Sequence, residues 1–271
     1  MDATTDPAAK PIARWRWWVH LALFAACPLV AVVRPAVAEG SAAQPLLPST
    51  VSGLLEASFV NMAAFGIVVA LAWLFSRATS GDLLLAWRGG IRPIFLGAAY
   101  SVLLRVVLFV LVMTVMVGWI MARGPAEAQA AAEKLRPETS NLIASSALTG
   151  NPVYLALCLT LISFVVAGLR EEVWRVGMMA GILKILEPRL TGRPAEVVAV
   201  FVSSALFGLA HLTQGWGGVL LTGVLGLGFG LMMVFHRSVW EAVFAHGFFD
   251  ATTFVAIFLI AKYLPGTIPG L

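Results

Sequence analysis

Gly168-Leu169-Arg170-Glu171-Glu172-Val173-Trp174-Arg175 lies inside an otherwise apolar run from about residue 152 to 186, and its reading decides what kind of molecule this chain is. Ionisable side chains at bilayer depth cost at least about 2.5–3.5 kcal/mol each on insertion scales, so they face a bundle interior or a water cavity and mark function. On a helix, Glu171 and Arg175 are four apart and Glu172 and Arg175 three apart, acid before base. Either pair can meet and lower the cost of insertion. Adjacent carboxylates point about 100° apart around a helix axis, so one arginine cannot serve both equally. One acid is then free to act as a general base.

The rest of the chain fits a membrane setting. Of its 271 residues 60% are hydrophobic and 12% charged, with a mean hydropathy of +0.91. A soluble domain carries about 25% charged residues, so a soluble enzyme is excluded. Apolar stretches at about 17–34, 57–76, 93–121, 152–186, 196–213, 218–235 and 239–261 predict an all-α, polytopic membrane helix bundle of about seven transmembrane helices. The third and fourth are too long for a bilayer of about 30 Å and must tilt, bend or project. The expected organisation is a cytoplasmic N-terminal segment (1–16), N-terminal helices with a polar loop (17–150), a helix bundle holding the polar residues (151–262) and a C-terminal tail (263–271).

Charge and cysteine usage narrow the partners. The net charge is +4, yet the basic residues are scattered singly, so the partner is a lipid bilayer and not nucleic acid. With the N-terminus inside, cytoplasmic segments carry ten basic residues, Lys10 and Arg14 among them, and the opposite side carries five, including Arg34 and Arg123. That asymmetry follows the positive-inside rule. Ala36-Val37-Ala38 has the form of a signal-peptidase site, but the run from Trp17 to Val33 exceeds the usual h-region of about 7 to 15 residues, and a retained first helix is expected. Cys27 and Cys158 both lie in apolar runs and offer neither a disulfide framework nor metal spacing.

Two later turns are also polar. Phe207-Gly208-Leu209-Ala210-His211 and His246-Gly247-Phe248-Phe249-Asp250 each set two functional side chains four apart, which places each pair on one helix face. Glu171 and His211 lie almost equally far from the turn near residue 190, so an antiparallel hairpin brings them to one depth. His246 lies shallower by counting, roughly 14 Å from its turn against about 28 Å for Glu171. The mismatch disappears if the hairpin tip extends past the membrane. Glu171 or Glu172 with His211 suits deprotonation of a water, and His246 with Asp250 suits stabilisation of an oxyanion.

The same residue types also have structural readings. Intramembrane histidines and acids serve as helix-to-helix glue. Arg105 is expected to snorkel or to pair with Glu56 or another helix's acid, and His20 and His236 to be interfacial. Trp15, Trp17, Trp18, Trp87, Trp119 and Trp240 suit an aromatic belt, and Gly223, Gly226, Gly228 and Gly230 suit close helix packing.

Across about residues 150–255 the three turns, in this order, resemble the CPBP family, the CAAX-prenyl-protease and bacteriocin-processing intramembrane proteases. That family's pattern is Glu-Glu-x-x-x-Arg, then Phe-x-x-x-His, then His-x-x-x-Asn or Asp. Ser238-Val239-Trp240 ahead of Ala245-His246 is similar to its approach to the last motif. The resemblance implies Glu171 and His211 as the water-activating pair, Glu172 and Arg175 as supporting groups, His246 and Asp250 on the oxyanion side, and Phe207 shaping the site. The chain departs from the pattern once, with arginine one position early and Val176 in its usual place. Either Arg175 reaches the same carboxylate from the adjacent position, or the register shifts so that Glu171 becomes the ion-paired acid and Arg170 replaces the first glutamate.

These observations lead to a membrane-embedded endopeptidase of glutamic type in a prokaryotic inner membrane, acting near the cytoplasmic face on a peptide or membrane-protein substrate without a cofactor. A zinc-dependent version, built on two histidines and a glutamate, is the disfavoured enzymatic alternative, since no His-Glu-x-x-His is present. The non-enzymatic alternative is a membrane scaffold or immunity protein. Transport is disfavoured for want of inverted repeats.

Overall fold

Local sequence starts and stops the helices. The Thr50 hydroxyl accepts from Gly53 N at 3.1 Å and opens α2 (Val51–Ser76), which ends where Arg77 turns left-handed at φ 54°. Asn151 Oδ1 accepts from Val153 N at 2.9 Å and Tyr154 N at 3.2 Å, and Pro152 supplies the first helical residue of α6 (Pro152–Leu157). These are the expected N-cap devices for orphan amides.

The computed structural model describes residues 12–37, 46–138 and 142–267, the side chains of 27–37 excepted. Lys10 and Ala38, the side chains of Cys27 and Arg34, and the ends of the two terminal segments lie outside the described residues. Besides α2 and α6 the chain forms α1 (Arg14–Val37), α3 (Arg92–Arg123), α4 (Pro125–Lys134), α5 (Ser145–Gly150), α7 (Arg170–Leu186), α8 (Gly192–Leu209), α9 (Gly215–His236) and α10 (Trp240–Tyr263). Among the described residues there is no strand. Among the described residues six helices are long and apolar enough to cross a membrane, and the first expected span corresponds to α1, 24 residues long, which is not one of the six.

The two overlong spans resolve differently. Helix α3 runs unbroken for 32 residues, about 48 Å, and reverses into α4 at Gly124, where φ is 88°. Helices α6 and α7 form one 35-residue rod interrupted by a π-helical stretch, Cys158–Leu169, in which Ser163 Oγ donates to Cys158 O five residues back at 2.7 Å. Wide turns of this kind are rare and tend to sit at functional sites. This one ends where Arg170-Glu171-Glu172 begins.

The depth mismatch disappears as the hairpin argument requires. Arg237, at the end of α9, pairs with Glu196 in the second turn of α8 at 2.6 Å, and Val239 N donates to Leu84 O at 2.9 Å. Residues 187–195 therefore project beyond the neighbouring helix ends. Lys184, in the last turn of α7, meets Asp82 at 3.3 Å, so the loop between α2 and α3 packs against α7 just before that projection.

The main core joins α3, α7, α8, α9 and α10 around Val176, Met179, Phe229, Met233 and Ala242. Close approach depends on missing side chains. A Cβ at Gly168 would lie 2.7 Å from Val243 O, and one at Gly208 would lie 2.6 Å from Val219 O, which draws α10 onto the π segment and α9 onto α8. The expected packing role of the α9 glycines holds at Gly226, against Phe207 and Ser204, and at Gly230, against Val200. Helices α2 and α3 turn Phe59, Ile67, Val106, Phe109 and Met121 outward, as lipid contact requires.

Two minor expectations are corrected. His20 is 1% exposed, with Nε2 3.0 Å from Gly177 O and Nδ1 3.0 Å from Ser76 Oγ, so it ties α1, α2 and α7 together in the interior. Trp17 packs beside it and is buried, so these two residues form a core knot, because α1 docks against α7.

Candidate active site

All seven side chains singled out in the three polar turns converge on one place between α7, α10 and the end of α8. The first turn of α7 sorts the two glutamates. Glu172 is completely buried; Arg175 Nε donates to its Oε2 at 2.8 Å and Nη2 to its Oε1 at 3.3 Å. The arginine one position early therefore holds the second glutamate at i,i+3 spacing, and the alternative Glu171–Arg175 pair does not form. Glu171 instead accepts from its neighbour Arg170 at 2.6 Å, and Arg170 also donates to Asn61 of α2. Side chains one apart do not normally face each other on a helix, so this bond depends on the reach of the arginine where α7 leaves the π segment.

Arg175 is enclosed by aromatic rings. Its Cζ lies 4.0 Å above Phe207 and 5.7 Å from Phe229, within cation–π range. Nη1 is the one guanidinium nitrogen without a partner, and a Cβ at Gly226 would stand 2.6 Å from it. Gly226 is thus a spatial requirement of the displaced arginine.

His246 links the two glutamates. Its Nδ1 is 2.7 Å from Glu172 Oε1, while Nε2 faces Glu171 Oε2 at 3.8 Å and Asp250 Oδ2 at 3.6 Å. The first distance is a hydrogen bond and the other two are too long for one, so Nε2 has no direct bond to either carboxylate. Phe229 stacks on the imidazole at 4.8 Å and 15°, and Phe207 meets it edge-on at 6.0 Å. The sequence pairs His246 with Asp250 alone; its shortest contact is to Glu172, because α10 packs along the π segment that leads into the first turn of α7.

His211 differs from its expected setting. The spacing places it on one helix face with Phe207, but α8 ends at Leu209 and His211 stands in the following turn. Its Nδ1 donates to Phe207 O at 2.8 Å, and the rings of Phe207 and His211 still meet at 4.7 Å. That bond leaves Nε2 as an acceptor, with Glu171 and His246 within Coulombic reach. Among the described residues no group of three or more His, Cys, Asp or Glu is spaced to hold a metal ion.

Sequence reasoning missed Phe229 and Arg105 here. Phe229 lies among glycines that signal helix packing, and an aromatic amid such glycines was the available clue. Arg105 neither snorkels freely nor meets Glu56; it bonds Ser101 and, on α10, Phe249 O and Thr252 Oγ1.

Residues 153–252 match the family model described as Rce1-like, type II CAAX prenyl endopeptidase. This segment belongs to the Rce1-like, CAAX-protease family. The match runs from the start of α6 into the middle of α10 and includes the seven side chains of the three polar turns, so this segment is similar to a family of CAAX-type endopeptidases, and the apolar helices make the chain a multi-pass membrane protein. No curated protein and no solved structure gives a significant match.

Proposed function

We propose that this CAAX-type protease hydrolyses a peptide bond near the cytoplasmic membrane face with a water activated by Glu171 and His211. The observation that carries the reading is the division of labour at the first turn of α7. Glu172 is spent on Arg175 and His246, whereas Glu171 keeps Oε2 directed at the space before His246 and Asp250. A water there meets a carboxylate and the free Nε2 of His211. Glu171 takes its proton as the oxygen attacks the peptide carbonyl, the oxyanion forms beside His246 Nε2, and Glu171 passes the proton to the departing amine.

The orientation rests on the ends that share Arg14, Lys184 and Arg237, since the excess of basic residues marks that side as cytoplasmic in a prokaryotic inner membrane. The substrate class is a peptide or membrane-protein tail. No metal is needed, so chelator treatment leaves the rate unchanged under this reading, whereas loss of activity would favour the zinc-dependent form.

The test uses the full chain in proteoliposomes with an internally quenched peptide bearing a prenylated CAAX terminus, alongside a comparison of terminal peptides from cells making wild type or Glu171→Gln. Glu171→Gln and His211→Ala abolish cleavage while insertion and detergent stability stay near wild type. Cleavage retained by Glu171→Gln overturns the assignment. No terminal peptide differing between the cells, with the mutant stably inserted, moves the reading to a scaffold or immunity protein.

A further inference from the structure

Arg105 lies outside the family match and outside the mechanism above, yet it is the best-anchored charge on α3. It sits roughly 20 Å along that helix, at a depth where an unpaired cation is costly. Among the described residues no carboxylate reaches it within ion-pair distance. Its partners are instead concentrated on one turn of α10. Nη2 donates to Phe249 O and Thr252 Oγ1 and reaches Thr253 Oγ1 at 3.4 Å, and Cζ lies 4.0 Å over the Phe249 ring. Nη1 is held from behind by Ser101 Oγ at 2.8 Å. The turn so clamped contains Asp250.

The charges around Asp250 explain why a cation belongs there. His246 faces it from its own helix, Glu171 and Glu172 from α7, and Arg105 from α3, all within Coulombic reach. Without Arg105, three carboxylates would share His246 and the two arginines already committed to Glu171 and Glu172. We propose that Arg105 is a positioning residue of the hydrolytic site, which ties down the turn carrying Asp250 and presents a fixed positive charge to that carboxylate. The inference rests on the proposed hydrolysis for its consequence, but its physical core, the coupling of Arg105 to Asp250, is independent of it.

The experiment combines Arg105→Met, Arg105→Lys, Asp250→Asn and the Arg105→Met, Asp250→Asn double variant in the full chain. Detergent melting temperatures form a double-mutant cycle, and the quenched prenylated CAAX peptide gives kcat and KM in proteoliposomes. Arg105→Met lowers kcat about tenfold or more with KM within about twofold, Arg105→Lys recovers most of the loss, and the double variant melts higher than additivity requires, because Asp250→Asn removes the charge left uncompensated. Additive melting changes overturn the proposal, as does an unchanged kcat for Arg105→Met in active protein. If Arg105→Met is too unstable to isolate, its recovery by Asp250→Asn supports the coupling and failure to recover it overturns the coupling. A wild type that cleaves nothing sinks the hydrolytic reading alone, and the melting cycle still decides whether Arg105 acts on Asp250.

Discussion

The two sides of α7 at its first turn carry adjacent glutamates in opposite situations. On the inner side Glu172 and Arg175 are both fully buried, doubly hydrogen-bonded to each other, covered by Phe207 and joined to His246. On the outer side Glu171 and Arg170 retain 17% and 25% side-chain exposure, and their second contacts are a single amide of α2 and a 3.8 Å approach to His246. A closed network suits a scaffold, whereas partial exposure suits the proton transfer proposed for Glu171. One residue of sequence and about 100° of helix rotation separate the two settings.

The largest expected effect breaks the outer side. Glu171→Gln keeps the size and the bond to Arg170 but removes the base, so the hydrolysis rate falls by about 10²–10⁴-fold in proteoliposomes with little change in melting. Equal loss of melting would place Glu171 on the structural side. Next comes the inner side, where Arg175→Met leaves Glu172 buried without its cation and destabilises the fold by about 3–5 kcal/mol, measured as earlier detergent or thermal unfolding. A melt unchanged within error would show that His246 alone satisfies Glu172.

Gly226→Ala sharpens the comparison further, since its Cβ would press on Arg175 Nη1 at 2.6 Å. Overpacking of this kind costs about 1–3 kcal/mol and lowers activity through Glu172 and His246, with KM less affected than kcat. The smallest effect lies far from the site. Burial pushes the Asp82 carboxyl up, but the Thr79 hydroxyl and amide and Lys184 outweigh it and hold Asp82 below the ordinary carboxylate range. A lowered carboxyl contributes stability above its unfolded value, near 3.8, that is lost as pH falls through its folded value. Asp82→Asn therefore costs at most about 1 kcal/mol at neutral pH, and the difference from wild type fades in acid. A difference that persists in acid would mean that Asp82 acts through packing.

Much of the fold is legible in the residues because membrane insertion demands long apolar runs with satisfied backbones. Six of the seven expected stretches overlap helices that, among the described residues, are long and apolar enough to span, with shifted ends. The end of α8 was the consequential miss, since apolar residues continue to Leu212 and nothing in their pattern marks the break at Leu209. At the site, the spacing allows Arg175 to pair with either glutamate, and the structure selects Glu172. The bonds of Arg170, His20 and Arg105 do not show, because each joins residues more than 50 positions apart on separate helices.

The sequence by itself determined a helical membrane protein with polar groups in three turns, and through those turns its resemblance to the CAAX-protease family, because hydropathy and i,i+4 spacing are local properties. Only the tertiary structure decided that Glu172 is closed in by Arg175 and His246 while Glu171 pairs with Arg170 and stays partly exposed, and that Arg105 bonds the turn of α10 that carries Asp250. Those outcomes depend on how helices distant in sequence cross, on where glycines let them approach, and on which buried donor reaches a carboxylate first.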